Sequence, residues 1–465
     1  MLRALRTRGL HAMLFLAAAL GLAAGDSAAL EELPRPYALQ PQIRFWTRVY
    51  TEVDTHGGFI HDANYLDVVY ETLRFPEDLS PSGQQAQVDE QKAAYRRILL
   101  DLADGKRTSL SPAEKRVLSL WPRGVSSATL RTAAENIRFQ LGQADRFREG
   151  VERSGAWEAF VEQTLVAQGV PRELAALPHV ESSYNPNAYS SVGAAGMWQF
   201  MRSTGRRFMR VDDVVDERLD PWKATEAAAL YLKENHEVTG SWPLAITGYN
   251  HGAGGMRRAS RELGTREIAT IVRRYKGPSF GFASRNFYTC FLAASDVSKS
   301  PETYFGRIAK SPPANPREIV LSRSYSVRTL QRTLGVDLDA LREYNLALRD
   351  PFWSGRRYAP VGYTLRLPRT SETKSAEAVL ASTPADVEPK TKRVAVASAG
   401  ARYRVKQGDS LGSLARRFGV SEEALMAANG LRHPRQLKVG QVLKVPAAKR
   451  RSAAQDGAEL VGARG

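Results

Sequence analysis

The sequence predicts a mainly α-helical chain with small modules of two strands and two helices toward its C-terminal side. Helix-start signals and amphipathic spacing run through residues 84–177. A strand, helix, helix, strand pattern fills residues 402–447, and a less regular copy lies 84 positions earlier. The chain has 465 residues, more than one hydrophobic core ordinarily organises, so several domains are expected.

The composition excludes several classes of protein and of site. Hydrophobic residues make up 43% and charged residues 25%, which excludes wholesale disorder and a polytopic membrane protein. The net charge of +17 predicts attraction to a polyanion. Because the basic residues cluster largely near the termini and the linker, nucleic acid is not the expected partner. Cys290 is the only cysteine, which excludes an intramolecular disulfide and a cysteine-based zinc site.

Residues 1–25 are predicted to be a secretory signal peptide. Three arginines precede an apolar run over residues 13–24, which ends in small residues. The run is shorter than the roughly 20 apolar residues that cross a membrane, although an uncleaved N-terminal anchor stays open as the alternative. We therefore expect an exported protein of the periplasm or cell envelope, with no other contact to the membrane.

Residues 26–134 are predicted to form a helical N-terminal region. Ser111-Pro112-Ala113-Glu114 is a helix start with a serine cap and a glutamate three residues later. Apolar residues at steps of three and four over residues 135–153 predict one further helix, whose charged face is expected to have no chemical role.

An early acidic and histidine-containing segment does not have the spacing of a metal site. Asp54, His56, His61 and Asp62 surround Gly57-Gly58, a pair typical of loops, and lack the His-x-x-x-His spacing of a helical site. A surface loop is predicted.

The C-terminal third contains two related modules. Residues 410–420 align with 326–336, and Asn429 aligns with Asn345, both at an offset of 84. Further along the offset falls to 78, so the earlier copy carries six extra residues around 352–357. We assign modules to 317–369 and 402–447, a flexible linker to 370–401 and a disordered tail to 448–465.

The later module resembles the LysM family through residues 403–411, 428–431 and 437–446. The resemblance implies binding to polymers that contain N-acetylglucosamine, such as peptidoglycan or chitin, through the loop after the first strand and the loop before the second. The positions that carry over are Gly408, Asp409, Ser410, Leu411 and Asn429. A turn formed by Gly408-Asp409 and a core position for Leu411 are the structural alternatives. The earlier copy has Arg323-Ser324-Tyr325 in place of the Gly-Asp turn and is a degenerate LysM-like module.

One glutamate is placed for acid catalysis. Residues 170–186 predict a short helix in which Leu174 and Leu177 precede Glu181 by seven and four positions, so the carboxyl group shares the inward face. Burial disfavours the ionised form and raises the pKa, which leaves a protonated acid near neutral pH. Protonation of the leaving group in glycoside cleavage requires such an acid.

Residues around and after Glu181 resemble the soluble lytic transglycosylase domain. The matching stretches are Glu181-Ser182, 188–201, Thr204-Gly205, 220–232 and 248–252, in the family's order. The resemblance implies a lysozyme-like catalytic domain, assigned to residues 135–310. With a LysM module behind it, the chain looks like the membrane-bound lytic murein transglycosylase D group.

The resemblance also implies roles for individual residues. Glu181 is the sole catalytic acid and base, oriented by Ser182. The other implied cleft residues are Gln199, Tyr249, Asn250, Met197, Trp198 and Tyr288. Ordinary core positions for the aromatic residues, and turn or cap roles for Gln199 and Asn250, are the alternatives.

The sequence thus predicts a lytic transglycosylase that cleaves the bond between N-acetylmuramic acid and N-acetylglucosamine without water, gives 1,6-anhydro ends and needs no metal or cofactor. Two alternatives stay open: a wall-binding scaffold without catalysis, and a hydrolytic muramidase in which an aspartate activates water. The candidate aspartates are Asp212, Asp213, Asp216 and Asp220.

Overall fold

The structure is a computed structural model, and it describes residues 33–370, 375–386 and 402–446, the last range with gaps at 407–408, 419, 421, 432 and 434–435. The predicted signal peptide 1–25, most of the linker 370–401 and the tail 448–465 lie outside the described residues. Helices dominate, so the predicted class is confirmed. No described helix is both long and apolar enough to cross a membrane. The described residues divide into two compact units: those up to 384 except 356–358, and those of 356–358 and from 385 onward.

The first unit begins with helix α1 (Gln40–Thr51) and a three-stranded antiparallel sheet. The sheet has the order β2 (Val69–Arg74), β1 (Gly57–Asp62), β3 (Ile137–Leu141). The prediction of a surface loop is wrong at His61 and Asp62, which are fully buried. Both lie on β1, the central strand, and the His61 ring packs against the rings of Phe45 and Phe282.

Three helices pack on this sheet: α2 (Pro81–Ala103), α3 (Pro112–Ser119) and α4 (Ser127–Glu135). The predicted capping box at the start of α3 is present, with Ser111 and Glu114 bonded reciprocally. The helix predicted over 135–153 is wrong in its first part, because residues 137–141 pair with β1 as strand β3.

The middle of the chain is helical and contains the larger core. Its helices are α5 (Ala144–Ser154), α6 (Glu158–Ala167), α7 (Leu177–Ser182), α8 (Arg202–Gly205), α9 (Pro221–Thr239), α10 (Trp242–His251), α11 (Ala253–Leu263), α12 (Ile268–Arg274), α13 (Phe282–Lys299) and α14 (Glu302–Phe305). Helix α1 packs along α13 and shares this core through residues such as Val49 and Tyr50. The N-terminal region is therefore divided between two cores.

The earlier repeat module consists of β4 (Arg317–Val320), α15 (Val327–Leu334), α16 (Leu338–Tyr344), α17 (Asp350–Trp353) and β5 (Thr364–Leu367). Strands β4 and β5 pair antiparallel, and the short α17 lies where the extra residues were expected. The prediction of a flexible linker over 370–401 is wrong over residues 376–382. They form α18 (Ala376–Ser382), which buries Ala376 and Leu380 against this module.

The second unit contains the later module. Strand β6 (Arg402–Arg404) pairs antiparallel with β7 (Val442–Lys444), and α19 (Leu411–Phe418) and α20 (Glu422–Ala427) lie between them in the chain. The predicted order of strand, helix, helix, strand is confirmed. Leu414, Leu425 and Leu443 form the centre of its small core.

Candidate active site

Glu181 lies in the last turn of α7, where the apolar spacing places it against the core. A 3₁₀ turn over Arg172–Ala176 leads into α7, and Leu174 and Leu177 are fully buried. The Glu181 side chain is half-buried. Burial raises the pKa of its carboxyl group to about 8, so the group is largely protonated at neutral pH.

The backbone reverses sharply directly after Glu181. Ser183 and Tyr184 both adopt left-handed conformations, with φ of 51° and 55°. The Tyr184 hydroxyl donates to the Ala175 carbonyl oxygen at 2.6 Å, which ties the reversal to the preceding turn. Such conformations are unfavourable for residues with side chains and persist only where surrounding contacts enforce them.

Helix α5 supplies those contacts. The Arg153 guanidinium donates to the Ser183 carbonyl oxygen from Nε at 3.1 Å and from a terminal nitrogen at 2.9 Å. At Gly150 a Cβ atom would lie only 3.0 Å from Ser183, so glycine permits the close approach of helix and reversal. The position of Glu181 is thus set from α5 as well as from α7.

Ser182 joins α7 to the loop over residues 195–200. Its hydroxyl donates to the Met197 carbonyl oxygen at 2.8 Å and accepts from the Asn185 backbone N–H at 3.1 Å. These bonds hold the loop against the helix that carries Glu181.

Gln199 shapes the same loop from within. It has a left-handed φ of 47°, and its side-chain amide donates to the Ala188 and Gly196 carbonyl oxygens at 3.2 and 2.8 Å. Gly196 has a φ of 80°, and a Cβ atom there would collide with the Arg218 carbonyl oxygen. The turn role considered for Gln199 is present, and its half-buried side chain also lines the cavity described below.

Tyr249 and Asn250 lie at the end of α10 and do not line the cavity that contains Glu181. The Tyr249 hydroxyl donates to the Trp198 carbonyl oxygen at 2.8 Å. Burial and then the negative charge of Glu181 raise the pKa of Tyr249. Asn250 is exposed, and its Oδ1 accepts from the Ser284 hydroxyl at 3.0 Å.

Three residues predicted to line the cleft belong to the core instead. Met197, Trp198 and Tyr288 are 1%, 0% and 0% exposed. The Trp198 indole donates to the Thr225 hydroxyl, and the Tyr288 hydroxyl donates to the Pro34 carbonyl oxygen. Their side chains cannot touch a substrate in this conformation, and the core alternative is correct for Trp198 and Tyr288.

Glu181, Ser182 and Gln199 line one cavity of about 430 Å³. Sequence reasoning missed several of its walls, above all the polar face of α5, which contributes Arg146, Glu149 and Arg153. Their spacing of three and four residues puts them on one side of the helix. This is the charged face for which no chemical role is predicted from the sequence.

Tyr189 is a further cavity residue that the sequence did not single out. It is 49% exposed, and the Arg349 guanidinium of the earlier repeat module donates to its hydroxyl at 2.8 Å and lies 5.4 Å from its ring centroid. The module therefore contacts the rim of the cavity.

The four aspartates considered as a hydrolytic base do not line this cavity. Asp212 accepts from the Val214 and Val215 backbone N–H groups, Asp216 pairs with Arg218, and Asp220 caps α9. The carboxylate that shares the cavity with Glu181 is Glu149, which is ion-paired with Arg153 at 3.1 Å.

Helix α13 packs against α7, and Tyr50 on α1 and Cys290 on α13 belong to the same core. Tyr50 on α1 is 2% exposed, and burial, then Cys290 on α13, then Glu181 raise its pKa. Burial likewise raises the pKa of the Cys290 thiol. The core next to α7 thus contains groups that burial keeps neutral.

In the later module, the predicted glycan-contact residues mostly hold the backbone. Asp409 accepts from the Tyr403 hydroxyl at 2.8 Å and the Lys406 N–H at 2.7 Å, and Ser410 caps α19 through the Ser413 N–H. Leu411 is 2% exposed in the core, and Gly408 lies outside the described residues.

Asn429 ties the end of α20 to β7, and the earlier module repeats this bond. Asn429 donates to the Lys444 carbonyl oxygen at 2.8 Å and accepts from the Lys444 N–H. Asn345 makes the same pair of bonds to Arg366, at 2.7 and 3.0 Å. The alignment of the two copies is therefore supported by an equivalent side-chain bond.

The earlier module differs at its first loop. Tyr325, the counterpart of Asp409, is 1% exposed, and its hydroxyl donates to the Leu380 carbonyl oxygen at 2.8 Å. The Arg323 guanidinium donates to the Thr383 carbonyl oxygen at 2.9 Å. The end of α18 thus covers the loop that corresponds to the predicted glycan-contact loop of the later module.

Comparisons with known proteins match both parts of the chain. Residues 158–272 match the family model described as Transglycosylase SLT domain, and residues 403–446 match the LysM domain. The two resemblances inferred from the motifs are confirmed.

Three curated relatives are similar to this chain. Membrane-bound lytic murein transglycosylase D of Escherichia coli (strain K12) is 28% identical over 334 residues, which cover 67% of this chain and 71% of the relative. Membrane-bound lytic murein transglycosylase F 2 of Alkalilimnicola ehrlichii is 31% identical over 50% of this chain and 63% of its own length. N-acetylmuramoyl-L-alanine amidase XlyB of Bacillus subtilis (strain 168) is 40% identical over 55 residues, 12% of this chain and 17% of the relative.

Proposed function

We propose that this chain, which carries a transglycosylase SLT domain and a LysM domain, is a peptidoglycan lytic transglycosylase. It cleaves the β-1,4 bond between N-acetylmuramic acid and N-acetylglucosamine and leaves a 1,6-anhydro end. The observation that carries the proposal is Glu181, a carboxyl group within the matched segment whose pKa is raised to about 8 by burial and which lines a cavity.

The chemistry needs one carboxyl group in two protonation states. Protonated Glu181 donates its proton to the glycosidic oxygen, the bond from C1 of the N-acetylmuramic acid breaks, and positive charge develops on that sugar. The Glu181 carboxylate then accepts the proton of the same sugar's C6 hydroxyl while the C6 oxygen bonds to C1. The acid is restored, and water takes no part.

The neighbouring residues support these steps. Ser182 and Gln199 fix the loop opposite α7 through bonds to carbonyl oxygens, so the cavity keeps its shape. Tyr249 holds the same loop through its bond to the Trp198 carbonyl oxygen, and Asn250 follows it on α10 with an exposed side chain whose Oδ1 accepts from the Ser284 hydroxyl. We assign these four residues to substrate positioning.

The later module holds the enzyme on its polymer. A LysM domain binds cell wall, and we assign its ligand to N-acetylglucosamine-containing strands through the loops that Asp409 and Asn429 shape. Residues 1–25 direct export to the periplasm or cell envelope, either as a cleaved signal peptide or as an uncleaved anchor. The net charge of +17 favours residence on an anionic wall.

The decisive experiment compares wild type with Glu181→Gln on purified wall sacculi. Loss of turbidity is expected to be on the order of a hundredfold or more slower in the variant, because the proton donor is removed. Glu262→Gln, at an exposed position outside the cavity, is the matched control and is expected to match wild type. Equal, nonzero rates for Glu181→Gln and wild type would refute the mechanism, whereas no loss of turbidity with the wild type would favour a non-catalytic wall-binding scaffold.

A further inference from the structure

A second groove lies next to the catalytic cavity, at the junction of the SLT domain and the earlier repeat module. It has a volume of about 610 Å³. Its walls come from the end of α5, the turn after α7, the start of α9, the connector over residues 311–315 and the end of α16. Arg153 and Asn185 line both this groove and the cavity that contains Glu181, so the two adjoin each other.

Hydrogen bonds and an ion pair hold the walls of the groove in place. The connector is held to the end of α5 by bonds from the Ser311 and Ala314 N–H groups to carbonyl oxygens, at 2.8 and 2.9 Å. The module is held by a bond from the Asp216 N–H to the Ala347 carbonyl oxygen at 2.8 Å and by the buried pair of Arg366 with Asp220. A ligand would therefore meet a largely preformed surface, which lowers the entropic cost of binding.

The lining has the chemistry of a saccharide site. The half-buried rings of Trp157 and Tyr344 offer flat apolar faces, while Asn187 and Asn315 are exposed amides at the edge. A pyranose presents apolar C–H faces that pack on aromatic rings, and its hydroxyl and N-acetyl groups pair with amides. Concave sites with aromatic walls and a few polar groups are typical of small-molecule recognition.

We propose that this groove is a distal sugar-binding site that holds the part of a peptidoglycan glycan strand lying beyond the sugars bound at Glu181. The inference rests on the proposed function, and its own support is the shared border at Arg153 and Asn185, because a continuous strand leaving the cavity along that border enters the groove. The earlier module thus contributes to the enzyme by completing a binding surface, while α18 covers its own first loop.

The test measures kcat/KM of the full chain on peptide-free glycan of two lengths, a tetrasaccharide and long strands. In Trp157→Ala and Tyr344→Ala the ratio of long-strand to tetrasaccharide kcat/KM is expected to fall about tenfold, equivalent to about 1.4 kcal/mol. In Asn187→Ala, which removes only an exposed amide, a fall of about threefold is expected. Tyr37→Ala, at a tyrosine that is 92% exposed and outside the groove, is the matched control and is expected to keep the ratio.

The outcomes separate the inference from the function on which it rests. An unchanged ratio in both Tyr344→Ala and Asn187→Ala would overturn the distal site, while anhydro products from the wild type would still support the transglycosylase. A ratio that falls only with peptide-bearing strands would also overturn it, since the occupant would then be the stem peptide. Should Trp157→Ala fail to fold, the other two variants decide. Absence of anhydro product from the wild type would refute the proposed function itself.

Discussion

Arg366 and Asp220 form an ion pair between the earlier repeat module and the helix that supports the active-site loop, and their side chains are 2% and 4% exposed. Arg366 also donates to Glu318 at 2.8 Å, and its guanidinium lies 4.3 Å from the centroid of the Trp222 ring. Asp220 accepts from the first N–H groups of α9 as its N-cap. The buried Arg366–Asp220 ion pair therefore joins the module to the SLT domain, and each charge requires the other as its counter-charge.

Arg366→Ala is expected to lower the free energy of unfolding by about 3–5 kcal/mol, because it leaves Asp220 buried without its counter-charge. Urea unfolding of the full chain measures this loss. Arg328→Ala removes an exposed arginine from the same module and is the control. Combining Arg366→Ala with Asp220→Asn is expected to recover part of the loss, since asparagine caps a helix without a charge. A loss no larger than that of the control would contradict the prediction.

Glu181→Gln is expected to stabilise the protein increasingly as the pH rises from about 5 to 8. The folded-state pKa is raised from 4.5 to about 8, so the stability associated with Glu181 is fully present below pH 4.5 and is lost as the pH rises toward 8. Glutamine does not titrate. Thermal unfolding is expected to show a gain on the order of 1–3 kcal/mol at pH 8 and little at pH 4.5. The same difference at both pH values would show that the carboxyl group is not desolvated in the folded state.

The wild-type rate is expected to fall above pH about 8, because catalysis begins with protonated Glu181. The measurement is kcat/KM on soluble glycan strands across the pH range, so that wall binding by the LysM domain does not limit the rate. Binding of Glu181→Gln to sacculi over the same range serves as the control for the rest of the protein. A rate that stays flat to pH 10 would exclude Glu181 as the proton donor.

Glu149→Gln is expected to keep the 1,6-anhydro product and to change the rate by less than about threefold. Glu149 shares the cavity with Glu181 and is therefore the described carboxylate best placed to activate a water molecule in a hydrolase. Its pairing with Arg153 and its 61% exposed side chain favour a structural role instead. Mass spectrometry of the products decides, since a hydrolysed end is heavier by one water molecule. Reducing ends from the wild type that disappear in Glu149→Gln would establish the muramidase alternative.

Ser182→Ala is expected to lower kcat about tenfold or more with a smaller effect on KM. The loss of its bond to the Met197 carbonyl oxygen frees the loop that faces Glu181, and small displacements of a catalytic group are costly. Stability is expected to fall by about 1 kcal/mol. Ser182→Thr, which keeps the hydroxyl, is the conservative comparison. A variant that loses stability but keeps kcat would show that the bond serves folding alone.

Local signals in the sequence predicted local structure well. The capping box at Ser111 and Glu114, the strand and helix order of both repeat modules and the inward position of Glu181 each depend on a few neighbouring residues. The site motif also identified Ser182 and Gln199, which line the cavity together with Glu181. Such features follow from periodicity and capping, which tertiary contacts leave intact.

Features that depend on distant partners were not predictable in the same way. Residues 137–141 have a spacing that suits a helix, and they form a strand only because β1 offers a pairing edge about 80 positions earlier. The apolar and aromatic residues Met197 and Trp198 carry no local sign of whether they face a cleft or a core. The polar face of α5 looked solvated, although it becomes a cavity wall once α7 packs beside it.

The residues that hold Ser183 in place lie outside the segment that matches the SLT family. Gly150 and Arg153 lie before residue 158, where the match to the SLT family begins, and Tyr50 lies earlier still. A protein trimmed to the matched segment would keep Glu181. It would lose the bonds from Arg153 to the Ser183 carbonyl oxygen and the part of the buried core that Tyr50 provides. We therefore expect a stable catalytic unit to be larger than the matched segment and to include helix α1.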